Sequence, residues 1–214
     1  MKLLITAGAT REPLDAVRFL SNVSTGQTGT ALAEAMCDAG HFVTLLLGEG
    51  VVAQGRADSQ RHMFSSAADL LAQMRRLLSS GDYDAVIMIA AVSDYRPADF
   101  VAGKMSSGSP ELTLRLVRNE KILPQLKSFS PRAVRVIGFK LTVAATPAVA
   151  RAAVAAQFAA GGVDLVVQND LAEIRAVARE AHPFWIYRAP DSSPDSARGV
   201  LSLARGLSEI LDQG

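Results

Sequence analysis

The chain has 214 residues, a formal net charge of +1 and a single cysteine, Cys37. The balanced charge gives no broad footprint for nucleic acid, and one cysteine excludes an internal disulfide framework. No apolar run reaches the roughly 20 residues of a membrane-spanning helix, and no signal peptide precedes the first predicted strand. The sequence therefore predicts one cytoplasmic domain over residues 1–214 that binds neither nucleic acid nor membrane.

The predicted elements alternate between strand and helix along the chain. Continuous apolar runs such as residues 84–89 are typical of strands buried on both faces of a parallel sheet, and strand–helix–strand crossovers are right-handed. This alternation predicts an α/β fold, a Rossmann-like parallel sheet flanked by helices. The strands are predicted at 2–6, 42–47, 61–64, 84–89, 134–139, 164–167 and 184–188, and the helices near 27–39, 67–79, 147–160 and 196–211.

Two segments interrupt this alternation. Residues 48–60 have the composition of a surface loop, whereas residues 95–118 predict a projecting arm, or flap, that follows the central strand. Within the arm, residues 113–117 alternate between polar and apolar and predict a strand. Open α/β sheets bind ligands at the carboxyl ends of their strands, where this arm begins. So long an excursion is typical of a lid, a binding loop or an oligomer contact.

Small and polar residues follow the first predicted strand and lead into the first helix. The free N–H groups and the dipole of a helix N-terminus favour an anion. Ser24 and Thr25 are predicted to cap this helix and could donate hydroxyls to phosphate, while Gly8, Gly26 and Gly29 permit close backbone approach. The spacing is not the GxGxxG of dinucleotide-binding folds, and an ordinary βα turn without a ligand remains the alternative.

Four further residues carry groups suited to binding a phosphorylated ligand. Asp94 follows a buried strand, where a carboxylate commonly holds Mg²⁺ or a ligand hydroxyl; a cap or a loop salt bridge is the alternative. Lys104 lies in the arm and could follow phosphate as a lid closes, or could simply be solvated. Arg18 could pair with a carboxylate or phosphate, and Asn22 could bind a carboxylate or carbonyl. These residues predict a Rossmann-like binder of phosphate or nucleotide.

Several motifs resemble those of the phosphopantothenoylcysteine synthetases, in the order of that family and over most of the chain. They are TREPLDAVRFLSNVSTGQTG at 10–29, AAVSDYRP at 90–97, Lys104, ELTLRLVRNEKIL at 111–123, GFKL at 138–141 and DLVVQND at 164–170. The resemblance implies a ligase of coenzyme A biosynthesis that joins 4′-phosphopantothenate to L-cysteine. An acyl-nucleotide intermediate and release of pyrophosphate are implied, with CTP or ATP as co-substrate and Mg²⁺. Because no decarboxylase segment precedes Met1, we expect a stand-alone synthetase.

The resemblance also implies roles for individual residues. Asn22 matches an asparagine that contacts the pantothenoyl end, Arg18 lies in the same loop, and Lys104 matches the flap lysine that reaches the triphosphate. We expect these three residues to be catalytic, and we expect Asp94 to be a metal ligand. The residues expected to bind the nucleotide are Gly8, Ser24, Thr25, Gly26, Ala90, Asp94, Lys104, Lys121, Ile122, Leu123, Phe139 and Lys140.

The chain also departs from the family pattern. Gln27 and Thr28 stand where lysine and methionine are common, and Arg151 is the only cation of the helix at 147–160. These departures leave the nucleotide open, with CTP favoured over ATP. The family is dimeric, which implies a homodimer. The alternatives are a Rossmann-like protein that binds NAD(P) or flavin, or a degenerate relative without catalytic activity.

Overall fold

A computed structural model describes residues 1–51 and 60–213. The loop predicted at 48–60 lies largely outside these residues, although Gly48 ends one strand and Gln60 begins the next. The strands are β1 (Lys2–Ala7), β2 (Arg11–Pro13), β3 (Phe19–Ser21), β4 (Phe42–Gly48), β5 (Gln60–Phe64), β6 (Ala85–Met88), β7 (Tyr95–Pro97), β8 (Leu116–Arg118), β9 (Arg135–Thr142), β10 (Leu165–Asp170), β11 (Pro183–Tyr187) and β12 (Asp195–Arg198). The helices are α1 (Gln27–Asp38), α2 (Ala67–Leu78), α3 (Leu126–Phe129), α4 (Pro147–Ala159), α5 (Leu171–Ala176) and α6 (Gly199–Asp212).

Eight of these strands form the main sheet, in the order β12-β11-β10-β9-β6-β1-β4-β5. The six strands from β10 to β5 are parallel to one another, which confirms the predicted Rossmann-like α/β fold. Strand β1 lies between the two main clusters of the core. Leu3 and Ile5 pack on the side of α1 and α6, and Leu4 packs on the side of α2 and α3.

One edge of the sheet is antiparallel, which the sequence analysis did not predict. Strand β11 runs antiparallel to β10, and β12 runs antiparallel to β11, where the short connection between β11 and β12 permits a hairpin and excludes a parallel crossover. Residues 196–198, predicted as the start of the last helix, belong to β12. Ala197 is the buried residue of this strand, so it carries too little apolar pattern to be recognised from sequence.

The arm leaves the sheet after β6 as predicted, but its strand lies further along than expected. Strand β8 (Leu116–Arg118) pairs antiparallel with β7 (Tyr95–Pro97), so only the end of the strand predicted at 113–117 is confirmed. Tyr95 pairs with Arg118 and Pro97 with Leu116, and the position of β7 therefore decides which residues of the returning chain become a strand.

Helices α2, α4 and α5 have side-chain N-caps, whereas α1, α3 and α6 have none. The Ser66 hydroxyl caps α2 by accepting from the N–H of Asp69 at 3.2 Å. The prediction that Ser24 and Thr25 cap α1 is wrong, because Gly26 is the N-cap residue and no side chain caps the helix. None of the helices among the described residues is long and apolar enough to cross a membrane.

Candidate active site

The loops that leave the carboxyl ends of β1 and β6 are hydrogen-bonded to each other. The N–H of Ala91 donates to the carbonyl of Gly8 at 2.8 Å, and the N–H of Thr10 donates to the carbonyl of Ala91 at 3.2 Å. The buried Thr6 hydroxyl accepts from the N–H of Ala90 at 3.0 Å, and the Thr10 hydroxyl accepts from the N–H of Ser93 at 2.9 Å. The two strand ends therefore form one rigid edge on which a site can be built.

Helix α1 begins against this edge, in contact with the end of β1. Gly26 has a φ of 75°, a left-handed conformation that glycine adopts without penalty. A Cβ on Gly29 would lie 2.6 Å from the Cβ of Ala7, so glycine is what allows the first turn to touch the strand. The N-terminal amides of α1 are thus brought to the ligand-binding edge of the sheet.

A cavity of about 500 Å³ opens beside the same edge. It is bounded by the loop after β6, the segment that returns from the arm, the end of β9 and helix α4. Seven of the expected nucleotide contacts line it, and they come from three separate parts of the sequence. These residues are Ala90, Asp94, Lys121, Ile122, Leu123, Phe139 and Lys140.

One ion pair at this cavity is largely exposed to solvent. Lys121 Nζ lies 2.5 Å from Asp94 Oδ1, with about two thirds of each side chain accessible. Asn119 brings these partners together, since its N–H donates to the carbonyl of Asp94 at 2.8 Å and its side-chain amide donates to the carbonyl of Ser93 at 2.9 Å. The base of the arm is closed by these bonds, and Lys121 and Asp94 lie at the cavity, which Glu120 and Lys140 also line.

The hairpin of β2 and β3 places the first loop over the rim of the cavity. The side-chain amide of Asn22 donates to the carbonyl of Val92, a cavity-lining residue, at 3.3 Å. Arg18 Nη2 donates to the carbonyl of Met105 at 3.2 Å and thereby touches the arm next to Lys104. Lys104 itself is exposed.

A buried carboxylate shapes the loop between β9 and α4. Asp170 accepts from the N–H groups of Ala144 and Ala145 at 2.9 and 3.1 Å, and from the Thr142 hydroxyl at 2.7 Å. The bond from Ala145, then the one from Thr142, lowers the pKa of Asp170 to about 2. Asp170 therefore stays ionised at neutral pH and holds this loop, in which Ala144 has a φ of 47°.

Comparison with known proteins identifies the family. A family model described as "DNA/pantothenate metabolism flavoprotein C-terminal domain" matches residues 1–197. This chain belongs to that family. The coenzyme A biosynthesis bifunctional protein CoaBC of Mycolicibacterium smegmatis is 31% identical over 211 residues, which cover 95% of this chain and 50% of that protein. CoaBC of Thermococcus kodakarensis is 34% identical over 170 residues, 79% of this chain and 41% of that protein. The chain thus spans about half the length of the curated relatives it matches.

Several solved structures have the same fold. The DNA/pantothenate metabolism flavoprotein from Streptococcus pneumoniae superposes with a TM-score of 0.87 at 25% identity, over 100% of this chain and 99% of that chain. The C-terminal domain of CoaBC superposes with a TM-score of 0.76 at 25% identity, over 99% and 94% of the two chains. A Cab2 variant in complex with phosphopantothenate-cysteine shares the fold at 16% identity, with a TM-score of 0.76 over 99% of this chain and 86% of that chain.

The residues expected from the resemblance do not all line one cavity. Seven line the cavity, as described above. Gly8, Ser24 and Gly26 lie outside its lining at the start of α1, and Arg18, Asn22 and Lys104 belong to the first loop and the arm above it. Thr25 lines a different cavity of about 960 Å³ between α1 and α6.

The sequence reasoning missed two residues near these groups. Arg179 reaches the first turn of α1 and donates from Nη2 to the carbonyl of Gln27 at 3.0 Å. Asn119 closes the base of the arm. Arg179 lies 152 positions from Gln27, so no local pattern could have indicated it, whereas Asn119 lies within a motif used for the resemblance and went unassigned.

The structure offers little for a metal held by protein alone. Among the described residues, no three His, Cys, Asp or Glu side chains come close enough to share an ion. Asp94 has a lysine as its partner rather than a second carboxylate. Mg²⁺ commonly binds one or two carboxylates together with substrate phosphates, and Asp94 fits that use without a preformed metal site.

Proposed function

We propose that this chain is a phosphopantothenoylcysteine synthetase that joins 4′-phosphopantothenate to L-cysteine through an acyl-nucleotide. The observation that carries this proposal is the cavity at the ends of β6 and β9. Three sequence segments that resemble the nucleotide contacts of the family, at 90–94, 121–123 and 139–140, line that one cavity. Membership of the family, and the similarity to half of the CoaBC proteins, point to the same reaction.

The reaction has two steps. In the first, a carboxylate oxygen of 4′-phosphopantothenate bonds to the α-phosphorus of the nucleotide, and the bond from that phosphorus to the bridging oxygen breaks, releasing pyrophosphate. In the second, the amine nitrogen of cysteine bonds to the acyl carbon, the carbon–oxygen bond to the nucleotide breaks, and the amine proton leaves to solvent. In the first step negative charge develops on the α-phosphoryl oxygens and on the leaving pyrophosphate, so fixed cations near them lower the barrier.

The cations of the site suit this first step. Lys121 and Lys140 line the cavity, and Lys104 lies on the arm with its side chain exposed to solvent, where a triphosphate could contact it. Mg²⁺ would enter with the triphosphate, held by phosphate oxygens and at most one protein carboxylate, Asp94. The amides at the start of α1 and the glycines at 8 and 26 would hold phosphate oxygens, with Ser24 and Thr25 beside them.

The first loop suits the acid substrate. Asn22 sits at the rim of the cavity through its bond to Val92, where its amide could donate to a carbonyl or carboxylate of the pantothenoyl end. Arg18 lies in the same loop and contacts the arm beside Lys104. We assign Asn22, Arg18 and Lys104 to the reacting end of the site. A closed arm would keep water from the acyl-nucleotide.

We further propose one domain over residues 1–214, with residues 95–118 as its flap, acting as a homodimer in the cytoplasm. The arm exposes large apolar side chains, including Phe100 and Leu112, which are about 60% accessible in the isolated chain. A second copy of the chain that covered them would remove this apolar surface from water. The resemblance favours CTP over ATP as the nucleotide.

One assay tests the proposal. The chain is incubated with 4′-phosphopantothenate, L-cysteine and Mg²⁺, with CTP or ATP in parallel, and pyrophosphate is measured. We expect release that depends on the acid and is faster with CTP. Titration calorimetry that finds no binding of either nucleotide to the folded chain, with Mg²⁺ present, would refute the proposal. A yellow purified protein, or binding of NADPH seen by its fluorescence, would support the flavin or nicotinamide alternatives.

Two variants test the reacting groups. Lys104→Ala should lower pyrophosphate release by about 100-fold, as expected for a cation that stabilises developing charge, with little change in melting temperature. Lys127→Ala is the matched control, since Lys127 pairs with Asp164 outside the cavity. Asn22→Asp should impair turnover because it places an anion against the substrate carboxylate. Unchanged turnover would remove Asn22 from the site.

A further inference from the structure

A buried carboxylate in the first loop binds the arm on the C-terminal side of Lys104. The side chain of Asp15 is fully buried. Its Oδ1 accepts from the N–H groups of Val17 and Arg18 at 2.9 and 2.8 Å, and its Oδ2 accepts from the N–H of Met105 at 3.0 Å. One carboxylate group therefore joins two segments that are 90 residues apart in sequence.

The two carboxylate oxygens of Asp15 accept hydrogen bonds from different segments of the chain. The bonds of Oδ1 are local and belong to a common type of turn, in which an aspartate accepts from backbone two and three residues ahead. That turn is complete without Oδ2. Oδ2 accepts from the N–H of Met105, which fixes the arm at the residue that follows Lys104, and it also lies 3.7 Å from Arg18 Nη1 in an ion pair within the first loop.

Further contacts fix the arm on the other side of Lys104. The N–H of Ala16 donates to the carbonyl of Gly103 at 2.9 Å, and the N–H of Val101 donates to the carbonyl of Leu14 at 3.2 Å. Lys104 thus lies between two anchored neighbours, while its own side chain is exposed. Because the backbone is anchored on both sides, the flexible lysine can place its charge in fewer positions. This restriction pre-organises the lysine for binding.

We propose that Asp15 is a positioning residue that holds the arm so that Lys104 faces the phosphates of the nucleotide. This inference rests on the proposed function for the role of Lys104, but the anchoring of the arm can be measured without it. The hydrogen bond from Met105, followed by the one from Val17, lowers the pKa of Asp15, so the group stays ionised at the pH of an assay. Hydrogen bonds to an ionised acceptor are the stronger kind.

The variant Asp15→Asn separates the two oxygens. Its amide oxygen can still accept from Val17 and Arg18, whereas its NH₂ group cannot accept from the N–H of Met105. The anchoring is measured by trypsin, which cleaves after Lys104, with cleavage after the exposed Arg188 as an internal reference. We expect cleavage after Lys104 to rise at least fivefold relative to the reference, because a backbone must leave its anchors to enter a protease.

The role in the reaction is measured by a double-mutant cycle. Asp15→Asn should lower kcat for pyrophosphate release about tenfold, with less than a twofold change in KM for 4′-phosphopantothenate. In the Lys104→Ala background the same change should lower kcat by less than twofold, because a residue that acts through Lys104 has nothing left to position. An equal loss in both backgrounds would overturn the proposal, since a merely structural defect is additive.

A second variant removes the same hydrogen bond by changing its donor, Met105, which lies in the arm. If Asp15→Asn does not fold, Met105→Pro removes the donor and leaves the carboxylate with its turn bonds, and the same tenfold loss in kcat is expected. Unchanged tryptic cleavage after Lys104 in Asp15→Asn, or wild-type kcat in Met105→Pro, would refute the inference. A wild-type chain that releases no pyrophosphate counts against the proposed function instead, and the tryptic rates then decide whether Asp15 anchors the arm.

Discussion

Replacing Thr6 by valine tests how the edge of the sheet supports the site. Thr6 is fully buried and forms the last pair of the ladder between β1 and β6, opposite Met88. Just beyond this pair its hydroxyl accepts from the N–H groups of Ile89 and Ala90 at 3.1 and 3.0 Å. The hydroxyl therefore takes the place of strand carbonyls where the chain turns away from the sheet.

The expected loss follows from these two bonds. Valine matches threonine in shape, so Thr6→Val removes an acceptor without leaving a cavity. A buried N–H that loses its acceptor costs about 1–3 kcal/mol. Since both amides are only partly buried, we expect the free energy of unfolding to fall by about 2–4 kcal/mol. Thr6→Ser is the control, which keeps the hydroxyl, loses one methyl group and should cost about 1 kcal/mol.

The measurement is guanidinium denaturation of both variants, with nucleotide KM as a second readout. Because Ala90 lines the cavity, release of its N–H should raise the KM for the nucleotide in Thr6→Val more than in Thr6→Ser. The denaturant slope should stay constant, as it does when only stability changes. Equal destabilisation by valine and serine would show that the hydroxyl does not support the loop.

Three further changes test other parts of the structure. Gly29→Ala should lower the free energy of unfolding by about 1–3 kcal/mol, measured by denaturation, because the new Cβ would lie 2.6 Å from the methyl carbon of Ala7 in β1. Gly206→Ala is the control: its new Cβ would have its nearest contact at 3.4 Å, so the free energy of unfolding should stay the same or rise. Because the pKa of Asp170 is lower in the folded chain than in the unfolded chain, the unfolded chain takes up this proton at a higher pH than the folded chain does. The contribution of Asp170 to the free energy of unfolding is therefore present above its unfolded pKa of 3.8 and is lost as the pH falls to about 2. Melting temperatures of Asp170→Asn should therefore depend less on pH in that window, and parallel curves would contradict this. Lys121→Gln should change stability by less than about 1 kcal/mol, because its ion pair with Asp94 is exposed, yet it should raise the KM for the nucleotide.

Some parts of the candidate site could be predicted from sequence because their signals are local. The strand before Asp94 is an apolar run, and the chain leaves it at the edge where α/β sheets bind ligands. The glycines of the first loop also showed where backbone must come close. The cap of α1 was wrongly predicted from the side chains of Ser24 and Thr25, which are suited to capping. The N-cap residue is instead Gly26, which has a left-handed conformation.

The sequence by itself determined the order of the central strands and of the four longest helices, the parallel centre of the sheet and the end of the sheet that carries the candidate site, because periodicity, apolar runs and turn residues act over a few positions. Tertiary structure decided the antiparallel strand β12, which has one buried residue, and the register of the arm, which β7 imposes on β8. It also decided that Asp15 meets Met105 across 90 residues. Such contacts depend on where the folded chain brings distant segments together, and no local pattern records that.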